Sequence, residues 1–300
     1  LYDEAQSATL QKVMDKSLTD ILRLLENAVL SAGCAMLDTL SSSQPVQVWR
    51  KADQSLLMNV DLESQERLLK LLSGIAPIVS EEDPATHHLI EGEGEYLIVD
   101  PLDGTTSCKR FMAHEGGQLG FGPLVGFAHR GIIHAAAFFN LPRRAIFSAI
   151  RGGGVHFYPV RNGELSRDGM RRLKPDFPGR LEDAAILFYP GSGGELSLID
   201  YLRSRDMIEN AYRFGGFAND CSRLASGFEQ AHVQLSVHPW DYSAVLLATE
   251  AGLSALLDPL GTPIPSEQWV IKAKNPVLLA PPALLPALLS SFRVCRELEP

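Results

Sequence analysis

Cysteine is too scarce in this chain to organise it. Cys34, Cys108, Cys221 and Cys295 are widely spaced, and none belongs to a CxxC pair. That excludes a zinc-finger pattern and a disulfide scaffold, and it predicts reduced, mostly buried thiols in a cytoplasmic protein. Long apolar runs are missing as well. The nearest, over 277–289, is broken by Pro281, Pro282 and Pro286, and it falls short of the roughly 18 residues a membrane span requires. No membrane partner is expected. No signal peptide shows at the start, where Leu1 points to a trimmed or processed chain. Basic charge is in deficit: 27 Lys and Arg stand against 36 Asp and Glu, for a net charge of −9. Such a chain is ill suited to a phosphate polymer, so no nucleic-acid polymer is expected as a partner. A small phosphate stays within reach, because helix ends or a metal can supply a positive field locally.

What is present suffices for a core. Of 300 residues, 45% are hydrophobic, and the length fits one large domain or two packed sub-domains of roughly 150 residues. The expected division is 1–165 and 166–300. Leu18, Ile21, Leu25 and Ala28 recur at three- and four-residue steps, which predicts a helix over 9–40. A second helix is expected over 62–72, ended by Ser73-Gly74. The apolar runs 75–79 and 96–99 read as buried strands that stop at acidic loops. Residues 120–148, with breaks at Arg130-Gly131 and Asn140-Leu141-Pro142, read as a strand meander. The Arg-, Lys- and Pro-rich stretch 168–180 reads as a connection between halves. Beyond it, strands over 184–189 and 232–237 alternate with helices near 195–204 and 219–226, and Pro239-Trp240-Asp241 opens a helix running to about Ala251. This mixed order, with no internal repeat and no regular βαβ alternation, gives an α+β class.

The acidic residues carry the chemistry. Asp61, Glu81, Asp100, Asp103 and Asp241 each lie at or near the end of an apolar segment, where distant parts of a chain can meet. Carboxylates gathered in one cleft raise each other's pKa unless cations neutralise them. Mg2+ with oxygen ligands is the usual cation where phosphate is the substrate. In Asp100-Pro101-Leu102-Asp103-Gly104-Thr105-Thr106, two carboxylates flank a turn stiffened by Pro101. Gly104 lets the backbone approach a ligand, and Thr105 and Thr106 offer hydroxyls and N–H groups at a helix start suited to phosphate. Taken singly, each of these acids reads equally as a turn or cap residue. The eight His form no HExxH-type pattern and read as surface or core residues, and Gly152-Gly153-Gly154 reads as a turn.

Taken together, Ser80-Glu81-Glu82, Val99-Asp100-Pro101-Leu102-Asp103-Gly104-Thr105-Thr106 and Pro239-Trp240-Asp241-Tyr242-Ser243-Ala244 with Glu250-Ala251-Gly252 form a pattern. In order and spacing it resembles the inositol monophosphatase family of metal-dependent phosphatases, over nearly the whole chain. The segment from Lys51 through Asp53 to Asp61 resembles the approach to the family's first acidic residue. Arg213-Phe214-Gly215-Gly216-Phe217-Ala218 resembles its glycine-containing substrate loop.

The resemblance implies a layered α/β/α/β sugar-phosphatase fold of two packed sub-domains, a homodimer, and two or three Mg2+ ions. It implies Glu81, Asp100 and the Leu102 carbonyl at a first metal, and Asp100, Asp103 and Asp241 at a second. Asp61 falls to a weaker third site or to orienting Thr105. Water oriented by Thr105 and Glu81 would attack phosphorus in line with the leaving alcohol, with the phosphate held near Gly104, Thr105 and Thr106. Gly215, Gly216, Gln234 and Asp241 are the implied substrate contacts. The expected substrate is a small phosphorylated polyol, myo-inositol 1-phosphate first. A 3′(2′),5′-bisphosphate nucleotide is the alternative, and a silent phosphate-binding paralogue the non-enzyme alternative. The chain also departs from the pattern. Gln234 stands where inositol phosphatases often carry Glu, and Met58-Asn59-Val60-Asp61 lacks the common Thr before its Asp. The nucleotide branch's Gly-Ser-Ser-x-Lys reads Gly215-Gly216-Phe217-Ala218-Asn219, without Lys, whereas Ser80-Glu81-Glu82-Asp83-Pro84, Lys51-Ala52-Asp53 and Lys109-Arg110 are closer to that branch.

Overall fold

The computed structural model describes residues 17–42, 45–51, 55–115, 120–189, 194–257, 263–264 and 275–297. The expected helix start at 9 and Asp53 lie outside them. Helix α1 (Leu18–Ser41) is capped by Ser17, whose hydroxyl accepts the Asp20 N–H at 3.2 Å. A short antiparallel pair follows, β1 (Val48–Arg50) and β2 (Leu56–Met58). Helix α2 (Asn59–Leu72) begins three residues before the expected start at 62. The cause is Asp61, whose carboxylate turns back to accept the Met58 N–H at 2.8 Å and closes the first turn.

The first sheet holds β3 (Ile78–Ser80), β4 (Glu95–Asp103), β5 (Gly122–His129), β6 (Ile132–Asn140), β7 (Ala145–Ile150) and β8 (Gly154–Arg161). The β3–β4 pair is parallel, and β4 to β8 form the expected antiparallel meander. Helix α3 (Thr105–Met112) lies between β4 and β5 in the chain. The sheet is extended by β9 (Glu164–Leu165) and β10 (Arg171–Leu173), both paired with β8. Residues 171–173, read from composition as connector, are thus an edge strand of the first sheet. Arginine suits an edge, since charge deters pairing with another chain.

The second sheet starts at β11 (Ala185–Phe188). It is followed by α4 (Gly194–Arg203), β12 (Asn210–Tyr212), α5 (Phe217–Ala225), β13 (Ala231–Val237), α6 (Tyr242–Glu250), β14 (Ser254–Leu257), β15 (Pro263–Ile264), β16 (Asn275–Ala280) and α7 (Leu285–Glu297). Its strand order is β12-β11-β13-β16-β14-β15.

Strand alternation sorts side chains into layers. In β4, Leu97 and Val99 share a core with α1 and α2, while Tyr96 and Ile98 share one with α5 and α6. In the second sheet, Leu187 and Leu279 join the α5 and α6 core, while Ile186 and Leu278 pack with α4 and α7. The expected α+β layering is present, and α4 and α7 add a fifth layer outside the second sheet. No helix among the described residues is long and apolar enough to cross a membrane.

Candidate metal and phosphate site

Strand β4 runs past Val99 to Asp103, with a register shift against β5 between Asp100 and Asp103. Asp100 Oδ1 accepts the Leu102 N–H at 2.9 Å, and the Ser64 hydroxyl on α2 donates to the Pro101 carbonyl at 2.7 Å. Those two bonds fix the acidic turn. Gly104, at φ +83, then caps α3, and Gly216, at φ +86, caps α5. A Cβ on Gly216 would lie 2.8 Å from the Gly120 carbonyl and 2.9 Å from Asp103 Oδ2, and one on Gly104 would lie 3.3 Å from the Gly216 Cα. The two glycines therefore let the N-termini of α3 and α5 meet. Asp103 reaches across and accepts the Phe217 and Ala218 N–H groups at 2.8 and 3.0 Å. Asp241 arrives on a short 3-10 turn before α6, where its carboxylate accepts the His238 N–H at 3.3 Å. Trp240 stands at 5.1 Å from the His87 ring and 4.9 Å from the His238 ring, which holds that turn in place.

This brings oxygens of Asp100, Asp103 and Asp241 within 4.8 Å of one another, and all three residues are buried. Burial, then the charges of Glu81, Asp103 and Asp241, pushes Asp100 well above the usual carboxylate range. Burial pushes Asp103 to about 7 against the opposing bonds from the α5 backbone, and Asp61 to about 8. Glu81 and Glu82 are answered by Lys51, at 3.1 and 2.6 Å. Thr105 Oγ1 lies 3.3 Å from Asp61 Oδ1 and 3.2 Å from the Leu102 carbonyl, so its one proton serves either oxygen in turn.

No protein-family model matches the chain. The Nus factor SuhB of Vibrio cholerae serotype O1 is 27% identical over 242 residues, 77% of this chain and 83% of that protein. The inositol-1-monophosphatase of Rhizobium meliloti is 26% identical over 246 residues, with the same two shares. A solved IMPase/NADP phosphatase in complex with Mg2+ and phosphate shares the fold, with a TM-score of 0.71 over 92% of this chain and 96% of that one at 20% identity. The chain is thus similar in sequence and in fold to the inositol monophosphatase family.

The residues at the acidic turn fit the divalent cation expected of that family. The donors are all oxygen, and they converge from the end of β4 and from the 3-10 turn before α6. The sequence marked Lys51 only within the Lys51-Ala52-Asp53 resemblance and gave no sign of its pairing with Glu81 and Glu82. Ser64 and the Asp103 cap on α5 were equally hidden, because each partner lies far along the chain. Thr106 is exposed on the first turn of α3. Gly215 packs on Ser107, whose hydroxyl donates to the Phe214 carbonyl at 3.2 Å, so the loop expected to bind substrate is pinned to α3. Gln234 is buried on β13, and its amide donates to the Ser236 carbonyl of its own strand at 3.3 Å.

Proposed function

We propose that this chain is a Mg2+-dependent phosphomonoesterase for a small phosphorylated polyol, with myo-inositol 1-phosphate as the first candidate. The observation that carries the proposal is the convergence of Asp100, Asp103 and Asp241 within 4.8 Å beside the start of α3. Those three carboxylates, with Glu81 and the Leu102 carbonyl, would hold the two or three ions. Bound there, Mg2+ supplies Lewis acidity and charge neutralisation for transfer of a phosphoryl group to water. The N–H groups of Thr105 and Thr106 would hold phosphate oxygens at the positive end of the helix dipole. Thr105 Oγ1, between Asp61 and Leu102, would orient the attacking water with Glu81 and pass a proton toward Asp61. Gly215, Gly216 and Gln234 would meet the alcohol portion. By the family resemblance the working form is a homodimer, and its free thiols suit the cytoplasm.

A second reading, a 3′(2′),5′-bisphosphate nucleotidase, is favoured by the neutral amide of Gln234, which would not repel a second phosphate. Phosphate release from inositol 1-phosphate, sugar phosphates, fructose 1,6-bisphosphate and adenosine 3′,5′-bisphosphate, with Mg2+ and with a chelator, tests both. Turnover should require Mg2+ and favour one substrate. Full turnover without metal would remove the metal mechanism. Phosphate binding with no turnover on any substrate would leave a silent paralogue.

A further inference from the structure

Residues 143–180 hold nine of the 27 Lys and Arg and only three of the 36 Asp and Glu. A chain that is acidic overall is therefore basic along this stretch, and the fold draws part of it into a track. Arg171 on β10 lies over the Phe157 ring at 4.5 Å, and Phe157 meets Phe147 edge-on at 5.4 Å. Arg143 stands 5.3 Å from the Phe147 ring and 5.2 Å from the Phe228 ring. Arg223 continues the series at 5.3 Å from Phe228 and 4.3 Å from Phe214, and Phe214 stacks on Tyr212 at 5.7 Å. Strand β10 is the edge of the first sheet, and β12, which carries Tyr212, is the edge of the second. Cations and rings thus form a connected series between the two sheet edges, with Phe147 and Arg223 buried beneath it and Arg171, Arg143, Phe228 and Tyr212 at its surface.

Two features separate this track from ordinary stacking of surface arginines. Arg223 is paired with Glu229 at 2.8 Å, but among the described residues Arg143 and Arg171 have no carboxylate within salt-bridge distance. Three guanidinium groups are gathered with one acid between them. The rings also stay reachable: Phe228 is 54% exposed and Tyr212 39%. Protection of a strand edge accounts for Arg171 but not for an exposed Phe228 beside an unpaired Arg143.

We propose that this track binds single-stranded nucleic acid, with the guanidinium groups of Arg143 and Arg171 on backbone phosphates and the faces of Phe228 and Tyr212 under bases. An acidic peptide would satisfy the cations and leave the rings without flat partners. A free nucleotide would fill one or two steps of a path that joins two sheets. The expectation of no nucleic-acid partner rested on net charge, which averages away this local asymmetry.

The test is fluorescence anisotropy of a labelled oligouridine of about 20 nucleotides with the full chain, from about 50 to about 200 mM salt. Affinity should fall with salt along a log–log slope of about 1.4, since each of two phosphates neutralised on a single strand contributes about 0.7. Arg143→Gln with Arg171→Gln should lower that slope by about 1.4, to near zero, and Phe228→Ala should weaken binding about tenfold with the slope unchanged. An abasic oligonucleotide of the same length should bind wild type about tenfold more weakly than oligouridine, and Phe228→Ala should remove the difference. Phosphate release and thermal melting should stay at wild-type values in both variants. If Arg143→Gln fails to fold, Arg171→Glu on the exposed edge strand carries the slope test alone. No binding at low salt, equal binding of the abasic strand by wild type, or variants that change the oligomer's mass and leave binding intact would each overturn the proposal.

Discussion

At the N-terminal end of α5 three buried carboxylates, Asp100, Asp103 and Asp241, share a space of 4.8 Å, whereas near its C-terminal end Arg223 and Glu229 bury one charge of each sign side by side. The second arrangement is closed. Arg223 Nε donates to Glu229 at 2.8 Å, and the guanidinium lies over the Phe214 ring. The first arrangement has backbone N–H groups from Leu102, Phe217, Ala218 and His238 and no matching cation within the trio. Hydrogen bonds orient carboxylates and moderate their repulsion, but they leave net negative charge in a low dielectric. One helix therefore separates a pair of opposite charges from a cluster of like ones.

The contrast breaks most sharply at Asp100. In Asp100→Asn the central charge of the cluster is lost, and kcat/KM with Mg2+ should fall at least ~10²-fold, about 2.7 kcal/mol. The metal-free protein should melt no lower than wild type, because the change also relieves repulsion from Glu81, Asp103 and Asp241. Near-full activity in this variant would take Asp100 out of the site. Glu229→Gln should do the opposite. It leaves a buried guanidinium without its counter-charge, at a stability loss of about 2 kcal/mol, while kcat/KM stays near wild type. A chemical denaturation curve and a kinetic assay on the same two variants decide whether the two ends differ as argued.

Titration sharpens the same point. Asp61 is raised from 3.8 to about 8 and Asp103 from 3.8 to about 7, both chiefly by burial. The folded state then binds more protons than the unfolded state between those values. Stability from these groups is complete below about pH 4 and is lost as pH rises through 7 and 8. The melting temperature of the metal-free protein should therefore drop by a few degrees from about pH 5 to about pH 8. Saturating Mg2+ should reduce or reverse that drop. A flat metal-free profile would mean that the cluster is already compensated from within.

Much of this was legible in the residues. The Asp100–Thr106 run marked the acidic turn because its spacing is local: Pro101 stiffens it, Gly104 takes a positive φ, and Thr105 starts a helix. The cap reading of the acids is visible at Asp61, Asp103 and Asp241, each of which accepts backbone N–H groups at a helix or 3-10 start. What could not be read is long-range. Asp103 caps a helix 114 residues further on, and Asn140 joins Asn219 at 3.0 Å. Composition misled at 171–173, where arginines suggested a connector and the structure has an edge strand. Glu250 was seen only as part of a motif. It accepts the Gly152 and Gly154 N–H groups at 2.7 and 2.9 Å, tying the end of α6 to the β7–β8 turn.

The smallest expected effect lies at Gln234, on the strand that leads into Asp241. Its amide now donates to the Ser236 carbonyl, a contact that a carboxylate could not make. In Gln234→Glu the side chain would be repelled by that carbonyl and driven toward whatever donors the substrate offers. Vicinal hydroxyls of a polyol are such donors, and a carboxylate accepts from them more strongly than an amide does. The variant should therefore raise kcat/KM for inositol 1-phosphate about threefold to tenfold, on the order of 1 kcal/mol. A bisphosphate nucleotide brings a second anion to the same side, so its kcat/KM should fall. Opposite changes on the two substrates would place Gln234 against the leaving group. Parallel changes, or a loss of melting temperature alone, would make Gln234 a residue that only ties its own strand, and substrate choice would then have to be sought at Gly215 and Gly216.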